Sequence, residues 1–211
     1  MQITRKKMIK VRNRKIIYPV RDLYKAYKVP LHIQRHMRKV CRFAVALAKK
    51  IAKHRKVNIR QVRRACLLHD LFRLVDFSQD KYEEFARKHK KNRKVWDRYR
   101  RKYRGIDHGE AAYLFLLKKE PEIARIVRAH MYYNVLDVNK FPKTIEEKIV
   151  AYADKRVSHE KIVPLKKRLQ EGHKRYGTRS TTADNMYILL EKELMAAAKK
   201  HNIINKKNKG L

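Results

Sequence analysis

Arg64-Ala65-Cys66-Leu67-Leu68-His69-Asp70-Leu71-Phe72-Arg73 sets an adjacent histidine and aspartate at the end of an apolar helical run. Two polar side chains are costly to bury there unless something binds them, and a divalent metal is the obvious candidate. One imidazole and one carboxylate form a mixed nitrogen and oxygen set, which suits iron, manganese, cobalt, nickel or zinc better than magnesium. Taken alone, the dipeptide reads better as a hydrogen-bonded surface pair. Its meaning depends on what the rest of the chain brings to it.

Upstream, Asn58 is placed to cap a helix whose inward face runs Val62, Ala65, Cys66 and His69, so helical geometry turns His69 toward the core. Arg73 follows Asp70 by three residues. If the helix continues, the two share a face, and the guanidinium either reaches a phosphate held at the metal or makes a surface ion pair. From Leu31 to Ala52 the apolar positions Ile33, Met37, Val40, Phe43, Ala44, Leu47 and Ile51 recur at three and four residues, which predicts an amphipathic helix. His36 falls beside that stripe, one turn before Val40.

Downstream, residues 79–104 differ in kind. Arg87 to Arg104 holds eleven Lys or Arg residues interleaved with Trp96, Tyr99 and Tyr103. Such a segment reads either as a nucleotide or single-strand platform or as an exposed helix whose aromatics pack on the core, the packing reading being favoured for the aromatics. Arg93, Lys94, Trp96 and Arg98, with Arg73, are the candidate substrate contacts, and the basic residues would line a site entrance. Asp107 and Glu110 read as a capping box that places His108 in the first turn of a helix. A helix from Pro121 carries Ile123, Ile126, Val127 and His130 on one face. Thr144 and Glu147 form a second capping box, and the helix they start sets Asp154 among Ile149, Val150, Ala153 and Val157. A basic stretch from Lys166 to Arg175 breaks at Gly177. An amphipathic helix with Met186, Leu190, Leu194 and Ala198 then follows, ending in a Lys- and Asn-rich tail.

The whole chain of 211 residues carries 57 Lys plus Arg against 20 Asp plus Glu, a formal charge of +37. That field attracts polyanions, among them nucleotides and nucleic acid, although a general bias toward basic residues spread over solvated helix faces accounts for it as well. No apolar run approaches the length of a membrane span and no secretory signal opens the sequence, so no membrane insertion and a cytoplasmic location are expected. Cys41 and Cys66 lie among apolar helical residues and read as buried thiols. Residues 1–20 form a basic N-terminal arm or a small hairpin, 21–177 one domain with a basic insert at 79–104, and 178–211 a C-terminal helix and basic tail.

His36, His69, Asp70, His108, His130 and Asp154 thus fall on successive helices at apolar faces or at caps facing the core. In this order, with His36 thirty-three positions before His69-Asp70 and a distant Asp154, they resemble the signature of the HD superfamily of metal-dependent phosphohydrolases. The phrase Tyr152-Ala153-Asp154-Lys155-Arg156-Val157 also resembles the closing helix of that family, and the resemblance spans about residues 30–175. It implies an all-α helical bundle. The added His108 and His130 resemble the branch that holds two metals, as in HD-GYP phosphodiesterases and bacterial diadenosine tetraphosphate hydrolases, although no Gly-Tyr-Pro motif is present. Carried over, the resemblance implies one or two divalent transition metals. One is held by His36, His69, Asp70 and Asp154, and a second by His108 and His130 with Asp70 bridging. It implies hydrolysis of an anionic phosphate substrate, foremost a nucleotide or dinucleoside polyphosphate, with Asp70 and Arg73 in catalytic positions. Competing expectations keep the site with RNA or DNA as substrate or binding partner, turn it to di-iron oxygen chemistry, or leave it vestigial on a basic binding module.

Overall fold

A computed structural model describes residues 17–177 and 180–199. The predicted helix at Leu31 forms as α2 (Leu31–Ile51), preceded by a short α1 (Val20–Ala26). Ile33, Met37, Val40, Ala44, Leu47, Ala48 and Ile51 are buried along one side of α2, as their spacing requires. That side packs on α3 (Ile59–Cys66) and α8 (Ile145–Asp154), while α6 (His108–Leu116) and α7 (Pro121–Arg128) pair with each other and close the bundle against α3 and α8.

The chain then leaves the bundle through two antiparallel strands, β1 (Val157–Ser158) and β2 (Lys161–Ile162), and returns as α9 (Leu165–Tyr176) and α10 (Thr181–Ala197). Gly177, at φ 63°, ends α9 in a left-handed turn that glycine adopts without a Cβ penalty. Helix α10 lays Ala183, Tyr187, Leu190 and Leu194 against the bundle, on the 3-10 helix at Tyr132–Leu136 and on α8. The fold is all-α apart from this small hairpin, for which the sequence carries no turn signature. Neither the arm or hairpin expected before Ile17 nor the tail beyond Lys199 falls within the described residues.

Local capping follows the sequence in most places. Asn58 accepts from the Gln61 amide, and Thr144 and Glu147 satisfy each other's backbone donors as a full capping box. At α6 only half of the expected box forms. Asp107 accepts from the Glu110 amide, whereas the Glu110 carboxylate turns to Arg128 at 2.8 Å.

The condition for Asp70 and Arg73 to share a helix face, continuation of α3 through Arg73, is not met. The helix ends at Cys66, and turns carry the chain through His69-Asp70 to a 3-10 helix at Arg73–Asp76. The basic insert folds as two helices, α4 (Gln79–Lys88) and α5 (Lys90–Lys102), with the aromatics packed inward. Tyr99 meets Phe72 edge-on and Tyr103 packs against it at a tilt. Trp96 is 1% exposed and donates its indole N–H to the Lys28 carbonyl at 2.9 Å. It is therefore chiefly a core residue that ties the α1–α2 loop to α5. The reading of Trp96 as an exposed stacking contact for substrate is corrected accordingly; it borders only a cavity beside α1 and not the one at the histidines.

Candidate metal centre

Each ring at the centre is oriented by the element that carries it. His69 follows the end of α3, and its Nδ1 donates to the Cys66 carbonyl at 2.9 Å. His130 sits just beyond α7, with Nδ1 donating to the Val127 carbonyl. His36 lies in the second turn of α2, its Nδ1 3.1 Å from the carbonyl of His159. His159, at the β1–β2 turn, holds a positive φ of 54°. That left-handed conformation costs a non-glycine residue about 1 kcal/mol, and it brings the β-turn carbonyl to His36. A carbonyl only accepts, so these three rings carry a proton on Nδ1 and present Nε2 to one another.

His108, at the start of α6, is oriented by a carboxylate instead: its Nδ1 meets Asp76 Oδ2, and its backbone amide donates to Asp76 Oδ1 at 2.8 Å. Arg73 Nη1 holds the same Asp76 Oδ2 at 2.6 Å, and Arg73 Nη2 donates to the Tyr176 hydroxyl at 2.6 Å.

The Nε2 atoms converge on two carboxylates. Asp154, at the last position of α8, places Oδ1 3.1 Å from His36 Nε2 and 3.5 Å from His69 Nε2. Asp70 lies between the two halves of the cluster. Its Oδ2 is 3.7 Å from His69 Nε2 and 3.8 Å from His36 Nε2, while its Oδ1 is 2.8 Å from His108 Nε2 and 3.9 Å from His130 Nε2. His108 and His130 face each other through Nε2 at 3.0 Å. All six residues named from the sequence thus meet in one place, and all but the partly buried His36 are buried.

The electrostatics are those of a charged cluster held out of water. Burial works to raise the carboxyls of Asp70 and Asp154, but their polar and charged neighbours prevail and hold both well below the usual carboxylate range. These are the His69 and His108 rings with Arg73 for Asp70, and Lys155 with the His36 and His69 rings for Asp154. Burial and Arg73 oppose a charge on His108, yet Asp76 and Asp70 push its pKa up to about 9. Burial likewise opposes a charge on His36, and Asp154 outweighs it to raise the pKa. His130 goes the other way, held well below the ordinary histidine value by burial and by the neighbouring His69 and His108 rings. It is neutral, with its Nε2 lone pair turned inward.

One atom decides what the cluster is for. His69 Nε2 is fully buried and has no hydrogen-bond partner, which among the described residues holds for no other buried side-chain nitrogen or oxygen. Stranding a polar nitrogen this way costs about 1–3 kcal/mol. A cation accepting that lone pair removes the cost. His36, His69 and Asp154 have ligand atoms close enough to share one ion, and so do His69, Asp70 and His130. Backbone carbonyls and Asp76 behind the rings are the partners expected for metal-bound imidazoles. The donor set therefore fits a divalent metal.

A model of the HD domain matches residues 33–157, more than half of the chain. The chain belongs to the HD domain family. Members of this family are generally metal-dependent phosphohydrolases, and HD domains bind divalent metals. Neither curated proteins nor solved structures give a significant match. No helix among the described residues is long and apolar enough to cross a membrane.

The HD cluster forms one wall of a cavity of about 740 Å³. Arg73 lines it, as do Lys81, Lys155, Arg168 and Arg175, and Tyr132, Tyr133 and Tyr176 supply aromatic surface. Arg93, Lys94, Trp96 and Arg98 do not line it. Arg93 is engaged with Glu83 and Asp97, and Lys94 and Arg98 are exposed on α5. The basic insert reaches the cavity through Lys81 and Phe85 instead, beside Phe77.

Three contributors were missed by sequence reasoning. Asp76 sits in a 3-10 turn with no motif around it. His159 acts through its carbonyl, which no side-chain pattern reveals. Lys155 belongs to the Tyr152–Val157 phrase, where its sequence position alone indicates no role. Its Nζ holds Asp154 Oδ2 at 2.6 Å and the His130 carbonyl at 3.1 Å, leaving Asp154 Oδ1 to face the rings.

Proposed function

We propose that this HD protein is a metal-dependent phosphohydrolase acting on phosphoesters of the nucleotide or dinucleoside polyphosphate type. The observation that carries the reading is the buried Nε2 of His69, without a hydrogen-bond partner and facing Asp70 and Asp154, two carboxylates that line a cavity together with cationic and aromatic side chains. His36, His69, Asp70 and Asp154 would hold one ion, and His108 and His130, with Asp70, would hold a second. A divalent cation bound here supplies Lewis acidity at a phosphoryl oxygen and lowers the pKa of water enough for attack on phosphorus near neutral pH.

The chain's own residues do the remainder. Arg73 is fixed by Asp76 and Tyr176 at the cavity wall, where its guanidinium is placed to bind non-bridging phosphate oxygens. Lys155 keeps Asp154 in a single orientation and adds positive charge beside it. Because phosphoryl transfer depends chiefly on positioning and electrostatic stabilisation, such fixed cations are the chemistry this site needs from the protein. Tyr133, half exposed on the same cavity, offers a face for a base.

Phosphate release from a panel of nucleotides, dinucleoside polyphosphates and short RNAs, with protein loaded in turn with manganese, cobalt, nickel, zinc and ferrous iron, tests the reading. Turnover that is abolished in a His69→Ala, Asp70→Ala double variant supports it. Fully metallated protein that turns over no phosphoester overturns it.

A further inference from the structure

A second cavity, of about 710 Å³, lies between α1, the start of α2 and α5. Arg21, Lys25, Lys28 and Arg38 line it together with His32 and His89, and no aspartate or glutamate does. Arg21 has only a surface pair with Asp22 at 3.7 Å, and Arg38 donates to Gln34. Lys25 and Lys28 make no ion pair among the described residues. The first turn of α2, which has no side-chain cap, opens into the same space and adds partial positive charge.

Unpaired cations are common in so basic a chain. What distinguishes these is that they rim one concave space, their exposed cationic heads free to turn onto an anion that enters it. Moreover, this space adjoins the HD cavity: His32 and Phe85 line both, in edge-to-face contact at 5.6 Å. His32 precedes the cluster residue His36 by one helical turn, about 6 Å along the axis.

We propose that this cavity is a second phosphate subsite, holding a further phosphate group of an extended nucleotide substrate whose scissile phosphate sits at the HD cluster. The proposal rests on the hydrolase reading above and narrows it, since a mononucleotide would leave the second cavity unused. The shared chemistry is a chain of nucleotide phosphates, either in a single-stranded nucleic acid or in a dinucleoside polyphosphate.

The test compares a Lys25→Glu, Arg38→Glu variant with a control, Lys49→Glu, Lys50→Glu, which makes the same charge change at exposed positions in the last turn of α2. Substrates are bis(p-nitrophenyl) phosphate, a dinucleoside tetraphosphate and a short single-stranded RNA. For the cavity variant the KM of at least one extended substrate should rise about tenfold or more, corresponding to about 1.4 kcal/mol of lost binding. Turnover of the small diester and the thermal midpoint should be unchanged, and the control should have little effect. Which extended substrate responds identifies the source of the phosphate chain. An unchanged KM for both, an equal rise in the control, or an equal loss with the small diester overturns the subsite. Anisotropy of labelled RNA and labelled dinucleotide, read in parallel, separates the two claims. Wild-type protein inactive on every substrate overturns the hydrolase reading, whereas weaker binding confined to the cavity variant still supports the phosphate subsite.

Discussion

His108 shows how much of the centre depends on residues that never face the cluster. Its Nδ1 is held by Asp76, which Arg73 holds in turn, so a carboxylate fixes the ring and strengthens its outward Nε2 as a donor. Replacing Asp76 by Asn keeps the shape and removes the charge. The expected result is a loss of about 10–100-fold in metal affinity with the fold intact, measured by competition against a chelating dye. An unchanged affinity would place His108 outside the ligand set. The six cluster residues were legible in the sequence because each interrupts an apolar stripe or sits at a cap, where a polar group needs a reason. Asp76 and the carbonyl of His159 were not, since a carboxylate on an irregular turn and a backbone oxygen leave no periodic trace.

Among the elements, the α4–α5 insert separates what composition suggests from what packing enforces. Its basic residues and aromatics alternate as they would on a nucleic-acid platform, but a helix sorts them by face, and burial claims Trp96, Tyr99 and Tyr103. Helical spacing already favoured that packing. What it could not supply was the partner of the indole, the Lys28 carbonyl, sixty-eight residues away in sequence. Trp96→Ala should destabilise the protein by about 3–5 kcal/mol, read from urea unfolding, through lost burial and a residual cavity. Metal bound per folded chain should stay at the wild-type value, because Trp96 touches no cluster residue. The end of α3 is the opposite case. The apolar run leaves open whether the helix continues to Arg73; it stops at Cys66, and the turn that follows aims His69 and Asp70 together at the centre. Tertiary demands at a site override helix periodicity there.

At the scale of the molecule, five helices, α2, α3, α6, α7 and α8, each supply or adjoin a cluster residue, so the centre is also where the bundle is held together. Carboxylates and imidazoles gathered without water are held there by their mutual pairing, and a bound cation adds to it. At a hundredfold excess over its Kd, a ligand that binds only the native state contributes about 2.7 kcal/mol. For a chain of this size, removal by a chelator should lower the thermal midpoint by about 5–10 °C, and restoring the metal should reverse it. The charge of +37 gives no information about the fold and was equally readable as bias or as function. Folding gathers four of those cations around a cavity next to the HD cluster, which composition alone cannot indicate.

The most direct measurement is elemental analysis of wild-type protein and its Asp70→Ala variant, both purified without chelators and confirmed to be folded. Asp70 touches both halves of the cluster, so the account predicts one or two divalent transition-metal ions per wild-type chain. It predicts substantially fewer in the variant, together with a fall of about a thousandfold or more in any phosphoester turnover, as loss of several kcal/mol of metal-derived stabilisation requires. Wild-type protein that takes up no divalent metal under any loading condition, or a variant that retains the full complement, would contradict it.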